Sequence, residues 1–318
     1  MGGTSWSDSA YDDINSMKAR TGKATFGHTA AINTGSVAPS THKSLDPKSF
    51  KAGVREARDS DDHPESNPIY IGLDVTGSMG QVPITMQTKL KDLMGYLLRK
   101  QYITDPAICI SGIGDYEAGD KAPFQCGQFE SGVEIDNDLT NLYIEGNGGG
   151  NNQESYHLGL YFLARCVKTD AFEKRGKKGY AFIICDESLA DTCKGSSIQA
   201  VFGTPSENIS TKDLVAEVLE KWELYCIVPN MTSHYKTALQ NSWKNVLGER
   251  VIFLDDPSTI VECIAGCIGM IEDNVNDLTT DLIDSGLKID QARSVTTALS
   301  KVKGTGMSKL KNTGLATL

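Results

Sequence analysis

Apolar and polar positions follow two regimes along this chain of 318 residues. Through residue 67 the apolar side chains are scattered. Trp6, Tyr11, Ile14, Met17, Phe26, Ile32, Phe50 and Val54 keep no sustained period. From residue 69 onward, short apolar runs alternate with helical spacings. The runs at 69–73, 107–113, 179–185, 224–228 and 251–254 read as buried strands. The stretch 124–130 reads as another strand, close enough to the run at 107–113 to pair with it antiparallel. Ile84, Leu90, Leu93, Met94, Leu97 and Leu98 predict a helix over 82–102, with Pro83 in its first turn. Further helices are expected over 138–144, 156–168, 212–222, 235–247 and 257–271. Strands alternating with helices predict an α/β fold: a doubly wound, mostly parallel sheet flanked by helices, with one antiparallel edge strand. There is no internal repeat.

The same pattern divides the chain. Residues 1–67 read as an extended N-terminal arm and linker, with short helices near 8–19 and 47–57 ordered where they pack; the alternative is a disordered tail. The charge-dense run 55–65 reads as a solvated linker. Residues 68–271 form the main domain. Residues 272–318 continue as one helix toward 283 and then a Gly/Thr/Lys-rich tail. From 288 on there are six basic residues and one acidic. Such a tail either frays or docks on an anionic surface.

Charge narrows the function classes. Asp and Glu number 41 against 31 Lys and Arg, a net charge of -10, which argues against a general nucleic-acid binder. No apolar run approaches the roughly 18 residues of a membrane span. The N-terminus lacks a basic-then-apolar leader, and Trp6 stands where a myristoylation signal wants Ser or Thr. A cytoplasmic location is the expectation. The eight cysteines form no CxxC pair and no zinc spacing. Cys109, Cys185 and Cys226 lie inside apolar runs, so reduced, buried thiols are expected.

The stretch that concentrates chemistry is 69–80, Ile-Tyr-Ile-Gly-Leu-Asp-Val-Thr-Gly-Ser-Met-Gly. An apolar strand ends on Asp74, at the sheet edge where α/β proteins bind ligands. Thr76 and Ser78 follow at two-residue steps, and Gly77 between them permits a tight turn. A carboxylate and two hydroxyls are hard ligands, suited to Mg²⁺ or Mn²⁺ rather than zinc. The plainer alternative is a strand, a turn and a hydroxyl capping the next helix.

Asp74-Val75-Thr76-Gly77-Ser78 resembles the Asp-x-Ser/Thr-x-Ser motif of the metal-ion-dependent adhesion site in von Willebrand factor A domains. The resemblance extends over 68–271 in element order and is greatest to bacterial and phage proteins with this domain. It implies two further loops at the metal. In the Gly-rich segment 146–155, Asn152 occupies the slot where the family places a Thr, with a register that can slip by one. Asp186, after the most apolar strand, matches the Asp of the third loop. Asp115 ends the neighbouring strand and either stands behind the ligands or forms a turn before Tyr116.

The resemblance implies a non-enzymatic, metal-dependent interaction module. Its ion would hold an Asp or Glu of a partner protein, in the setting of an ATPase or kinase system. The alternative is a haloacid-dehalogenase-like phosphotransferase with Asp74 as nucleophile and Asp255-Asp256 as a later acidic pair, but no phosphate-binding Lys is placed for it. Other chemistry finds no pattern. Gly146-x-Gly148 lacks the third glycine of a dinucleotide loop, and Gly304-Thr-Gly306 lacks Walker spacing. There is no Gly-x-Ser-x-Gly elbow. His157 beside the Gly-rich segment reads as a packed or capping histidine before it reads as a base.

Overall fold

A computed structural model describes residues 5–146, 153–230 and 236–302. The apolar run before the Asp-x-Thr-x-Ser motif becomes strand β1, Asn67–Asp74, buried at every position. Around it lie β2 (Pro106–Ile113), β3 (Phe124–Cys126), β4 (Gly179–Ile184), β5 (Trp222–Pro229) and β6 (Val251–Leu254). Their order across the sheet is β6-β5-β4-β1-β2-β3. Every neighbouring pair is parallel except β2 and β3. The doubly wound sheet with an antiparallel edge is therefore as the pattern predicts. The edge strand is shorter than expected: Glu130 adds only an isolated bridge to Ile108.

Helices cover both faces, which is why β1 reads as a continuous apolar run rather than an alternating one. The alternation appears in which core each residue joins. Ile69, Ile71 and Leu73 pack with Ile110, Phe182 and Ile227, under the helices Leu90–Arg99 and Ile260–Ile271. Tyr70, Cys109, Ile183 and Cys226 fill the opposite face, under Tyr156–Arg165, Thr211–Lys221 and Lys236–Leu247. All eight cysteines are free and buried. The chain passes from β1 to β2 on one side and later reaches β4 on the other. Strand order reverses between β1 and β4, so the loops leaving these two strands diverge and open a crevice at the C-terminal edge.

Some boundaries move. The helix expected over 82–102 is two, Val82–Thr88 and Leu90–Arg99. Asp170–Arg175 and Gly195–Phe202 are helices that periodicity did not predict, being too short to show a period.

The short helix expected near 8–19 is present as Asp8–Thr21, and near 47–57 there are two 3-10 turns, Pro47–Ser49 and Lys51–Gly53. A further helix, Gly27–Asn33, was not expected, and the segment is docked on the domain. Tyr11 is buried, and its hydroxyl donates to the Gln87 carbonyl at 3.2 Å. Lys18 pairs with Asp136 at 2.6 Å. Arg55–Ala57 runs as a parallel ladder beside Val167–Thr169. The 55–65 run is not a solvated linker, because its charges find partners more than a hundred residues away: Arg58 meets Asp170 and Glu173, and Asp59 meets Arg175. Past Ile271 there are two helices rather than one, Leu278–Asp284 and Ile289–Ser300. They bury Leu282, Val295 and Leu299 in the first core. The basic tail beyond residue 302 lies outside the described residues.

Candidate metal centre

β1 delivers Asp74 to the crevice with its side chain fully buried. Its Oδ1 accepts the Thr76 amide at 2.9 Å and the Thr76 hydroxyl at 2.6 Å. Its Oδ2 accepts the Tyr156 hydroxyl at 2.5 Å. Gly77–Met79 forms a single 3-10 turn. The positive φ of this loop falls on Gly80, at 50°, rather than on Gly77. The turn leaves Ser78 exposed, with its Oγ 3.2 Å from Thr76 Oγ1. Ser78 donates to Asp186 Oδ1 at 3.1 Å, joining loops 108 residues apart. Asp186 follows β4, the strand beside β1, and is buried. Its loop is held from behind. The Trp243 indole donates to the Glu187 carbonyl at 3.2 Å, and the Leu189 amide to Ser242 Oγ at 3.1 Å.

Proton counting defines what these groups offer. A hydroxyl has one proton. Thr76 donates its proton to Asp74 and Ser78 donates its proton to Asp186, so none remains for the 3.2 Å gap between the two hydroxyl oxygens. Both oxygens therefore present lone pairs. Two adjacent oxygens on an octahedral Mg²⁺, with bonds of about 2.1 Å, stand about 3.0 Å apart. The gaps from Thr76 to Ser78 and from Ser78 to Asp186, 3.2 and 3.1 Å, are close to that separation.

Electrostatics point the same way. Burial, and then the charge of Asp186, push Asp74 up to about 7 despite its hydrogen bonds from Thr76 and Tyr156. Burial also raises Asp186, against the hydrogen bond from Ser78. Carboxylates facing one another in a poorly solvated crevice lack a positive charge. Among the described residues no three His, Cys, Asp or Glu side chains group as a metal site. The donor set is two carboxylates and two hydroxyls, which suits a hard cation and leaves positions for water.

Of the residues singled out in the sequence, the structure brings Asp74, Thr76, Ser78 and Asp186 together. Asn152 lies outside the described residues. Asp115 is buried after β2, where its Oδ1 accepts the Glu117 amide at 2.8 Å and the Ser155 hydroxyl at 3.3 Å. That is the turn-forming reading, one strand away from Asp74. Asp255-Asp256 follows β6, three strand positions from β1, or about 14 Å at the usual strand spacing. His157 is buried with no hydrogen-bond partner on either ring nitrogen among the described residues, and burial lowers it to about 4, so it is a neutral packed residue.

Two residues escaped the sequence reading. Tyr156 looked like a core residue of its helix, yet its hydroxyl fixes Asp74. The helix comes close because Gly159 has no side chain; a Cβ there would stand 3.1 Å from both Ile113 Cδ1 and the Tyr70 hydroxyl. Glu154 was passed over within the Gly-rich segment. It is 4% exposed and belongs to a two-residue parallel ladder, Gln153–Glu154 on Ser188–Leu189, which ties it to the loop after Asp186. Burial, then the charges of Asp74, Asp115, Asp120 and Glu187, push Glu154 up to about 10. The signal available was an acid two residues ahead of a helix and four residues past a glycine run.

No family model and no curated protein matches the chain. Solved structures do. The pilus adhesin SpaC from Lactobacillus rhamnosus GG aligns at 12% identity over 68% of this chain and 32% of its own, with a TM-score of 0.46. Proximal thread matrix protein 1 from the mussel byssus aligns at 12% identity over 71% of this chain and 47% of its own, with a TM-score of 0.40. A von Willebrand factor type A protein from Catenulispora acidiphila aligns at 17% identity over 65% and 42%, with a TM-score of 0.36. The chain thus spans less than half the length of each, and likenesses at these scores say nothing about function. Among the described residues no helix is long and apolar enough to cross a membrane.

Proposed function

We propose that the crevice between β1 and β4 holds Mg²⁺ or Mn²⁺ on Thr76, Ser78 and Asp186, with Asp74 supplying charge from behind, in the manner of a von Willebrand A adhesion site. The observation that supports this most is the Thr76–Ser78–Asp186 chain of oxygens, whose hydroxyl protons are already committed to carboxylates. The ion would supply a positive charge with exchangeable water positions. One such position takes a carboxylate of a partner protein. The protein is then a non-enzymatic, metal-dependent interaction module. Its partner presents an Asp or Glu, and an ATPase or kinase system is the setting the sequence resemblance suggests. Eight buried thiols at apolar positions suit a reducing, cytoplasmic setting.

The nucleophile alternative fares worse. Asp74 has no exposed surface and its oxygens accept three hydrogen bonds, which leaves no path for attack on phosphorus. The acidic pair it needs is too distant, and Asp256 is occupied by the Ser258 amide and Gln291.

The test is calorimetric titration with Mg²⁺. The wild type should bind, and Asp186→Ala should give a flat titration with unchanged circular dichroism. Capture of partners from a lysate should disappear in EDTA and return with Mg²⁺ or Mn²⁺. A normal titration by Asp186→Ala would remove the third loop from the site, and a metal-independent partner would place the function on another face.

A further inference from the structure

Residues 142–146, which lead from the helix Ile135–Asn141 toward the Gly-rich segment, belong to no strand or helix. Their backbone is nevertheless paired on two sides, by side chains. On one side the buried Gln125 donates from Nε2 to the Tyr143 carbonyl at 2.8 Å and accepts the Tyr143 amide on Oε1 at 2.9 Å. On the other, Thr29 donates its hydroxyl proton to the Leu142 carbonyl at 2.8 Å and accepts the Ile144 amide at 2.9 Å. Each side chain supplies one donor and one acceptor, as a neighbouring strand would. Gln125 belongs to the edge strand β3, but Thr29 comes from the N-terminal segment, 113 residues before Leu142.

Thr29 is itself fixed. Its helix, Gly27–Asn33, lies close on Ile135–Asn141 because Gly27 has no side chain; a Cβ there would stand 3.1 Å from Thr140 Cγ2. Phe26 packs on the first core, and Ile32 forms a small buried cluster with Ala122 and Tyr143. The clamped residues in turn reach the metal loop. The Gly146 amide donates to the carbonyl of Val75, the residue between Asp74 and Thr76, at 3.5 Å. At that length the bond is weak and sensitive to where 142–146 lies. Leu142 approaches Val75 where Gly112 leaves room: a Cβ on Gly112 would stand 3.0 Å from Leu142 Cδ2 and 3.3 Å from Val75 Cγ1.

We infer that Thr29 is a positioning residue for the metal loop: its hydroxyl sets where residues 142–146 lie against Val75, which makes the N-terminal segment part of the cation site and not only a cover for the core. The inference rests on the cation reading above. Without the hydroxyl, the Leu142 carbonyl and the Ile144 amide lose their partners, and the backbone moves to find water. Gln125 still holds Tyr143, so 142–146 shifts rather than unfolds. Val75 then loses the neighbours that fix it, and the Asp74–Ser78 loop holds its oxygens less firmly in place. Metal affinity depends on such support from behind the ligands. Lifting the helix Gly27–Asn33 away, by a partner or by cleavage, would weaken the ion's hold in the same way.

The experiment titrates the full chain with Mn²⁺ alone by calorimetry, after melting in EDTA has shown that each variant folds. Thr29→Val keeps the side-chain shape without the hydroxyl, and Thr29→Ala removes it with a residue that a helix favours; either variant alone decides the test. Thr29→Ser keeps the hydroxyl. Tyr11→Phe is the control, because it removes a different hydrogen bond of the N-terminal segment, the one to the Gln87 carbonyl. The expected result is that Thr29→Val and Thr29→Ala weaken Mn²⁺ binding by about threefold to tenfold, while Thr29→Ser and Tyr11→Phe bind as the wild type does. If loss of the hydroxyl leaves Mn²⁺ binding unchanged, Thr29 serves stability alone, and the cation site stands without it. If Tyr11→Phe weakens binding as much, the effect is a general loosening of the segment and the inference is overturned. It is overturned equally if Thr29→Ser binds as poorly as Thr29→Val. If the wild type itself fails to bind Mn²⁺, the cation reading falls and this inference falls with it.

Discussion

At the N-terminal ends of β1 and β4, acids meet cations. Arg58 holds Asp170 at 2.8 Å and also bridges Glu56 and Glu173. Arg175 holds Asp59 at 2.7 Å while donating to the Ser66 carbonyl at 2.9 Å. Burial alone would raise Asp170, but hydrogen bonds from Lys174, the Asp59 amide and Arg58 outweigh it and hold the acid at about 2. At the C-terminal ends of the same two strands, acids meet acids. Asp74 rises to about 7 and Glu154 to about 10, and the groups pressing on them are burial and other carboxylates. One chain thus builds two acid clusters on one pair of strands and completes only one of them. The completed cluster clamps the 55–65 segment to the sheet. The incomplete one is where the proposed cation would sit.

The largest expected effect breaks the completed cluster. Arg58→Ala leaves Asp170, which is buried, with only Lys174 and the Asp59 amide. Breaking a buried pair from one side costs about 3–5 kcal/mol when nothing else compensates. With those two donors remaining, a loss of about 2 kcal/mol is expected in urea unfolding, equal in EDTA and in Mg²⁺. The pH dependence has a definite sign. Asp170 lies at about 2 in the folded protein against an ordinary 3.8, so its contribution is present above 3.8 and lost as pH falls through about 2. Arg58→Ala should flatten that acid limb. A loss of stability that Mg²⁺ repairs would mean the two clusters are not separate.

The two clusters also differ in how far they could be read from sequence. The incomplete one is written locally: a strand ends on Asp74, two hydroxyls follow within four residues, and Asp186 ends the most apolar strand. The sheet itself was legible because buried parallel strands are short apolar runs between helical spacings. The completed cluster pairs residues 56–59 with 170–175, and no local pattern announces a partner at that distance. The run therefore looked solvated. The Asp170–Arg175 helix has too few residues for a period, although Thr169 caps one end and Gly176, at φ 64°, closes the other. The N-terminal helix buries only Tyr11, too sparse a stripe to show that it docks. Glu154 was missed because a glycine run has no periodicity, and nothing local says which of its following residues turns inward.

A smaller effect, with a change of sign, sharpens the contrast. Asp186→Asn removes one of the facing carboxylates. Without metal the variant should melt slightly above the wild type, a gain of about 1 kcal/mol or less for charges partly reached by solvent. With excess Mg²⁺ the order should reverse, because only the wild type is stabilised by binding. Paired thermal melts in EDTA and in Mg²⁺ read both orders. A variant less stable than the wild type in EDTA would show that the acids at this edge are satisfied within the chain.

The smallest expected effect on stability separates the clusters most cleanly. Ser78 at one edge and Glu173 at the other are both at the rim, and each touches a buried acid's cluster. Ser78→Ala and Glu173→Ala should each stay within about 0.5 kcal/mol of the wild type in EDTA, as surface changes usually do. Only Ser78→Ala should then alter the response to Mg²⁺, because it takes an oxygen from the ion and no contact from the core. Asp74→Ala should impair that response more, since it removes charge and releases Thr76 and Tyr156 together. Partner capture should follow the same order, Asp74 ahead of Ser78, and a partner carboxylate changed to its amide should lose most of its affinity. Equal Mg²⁺ responses from Ser78→Ala and Glu173→Ala would mean that the hydroxyl is no ligand. Ser78 would then only tie the β1 loop to Asp186, and the 3.1 Å contact between them would be an ordinary hydrogen bond.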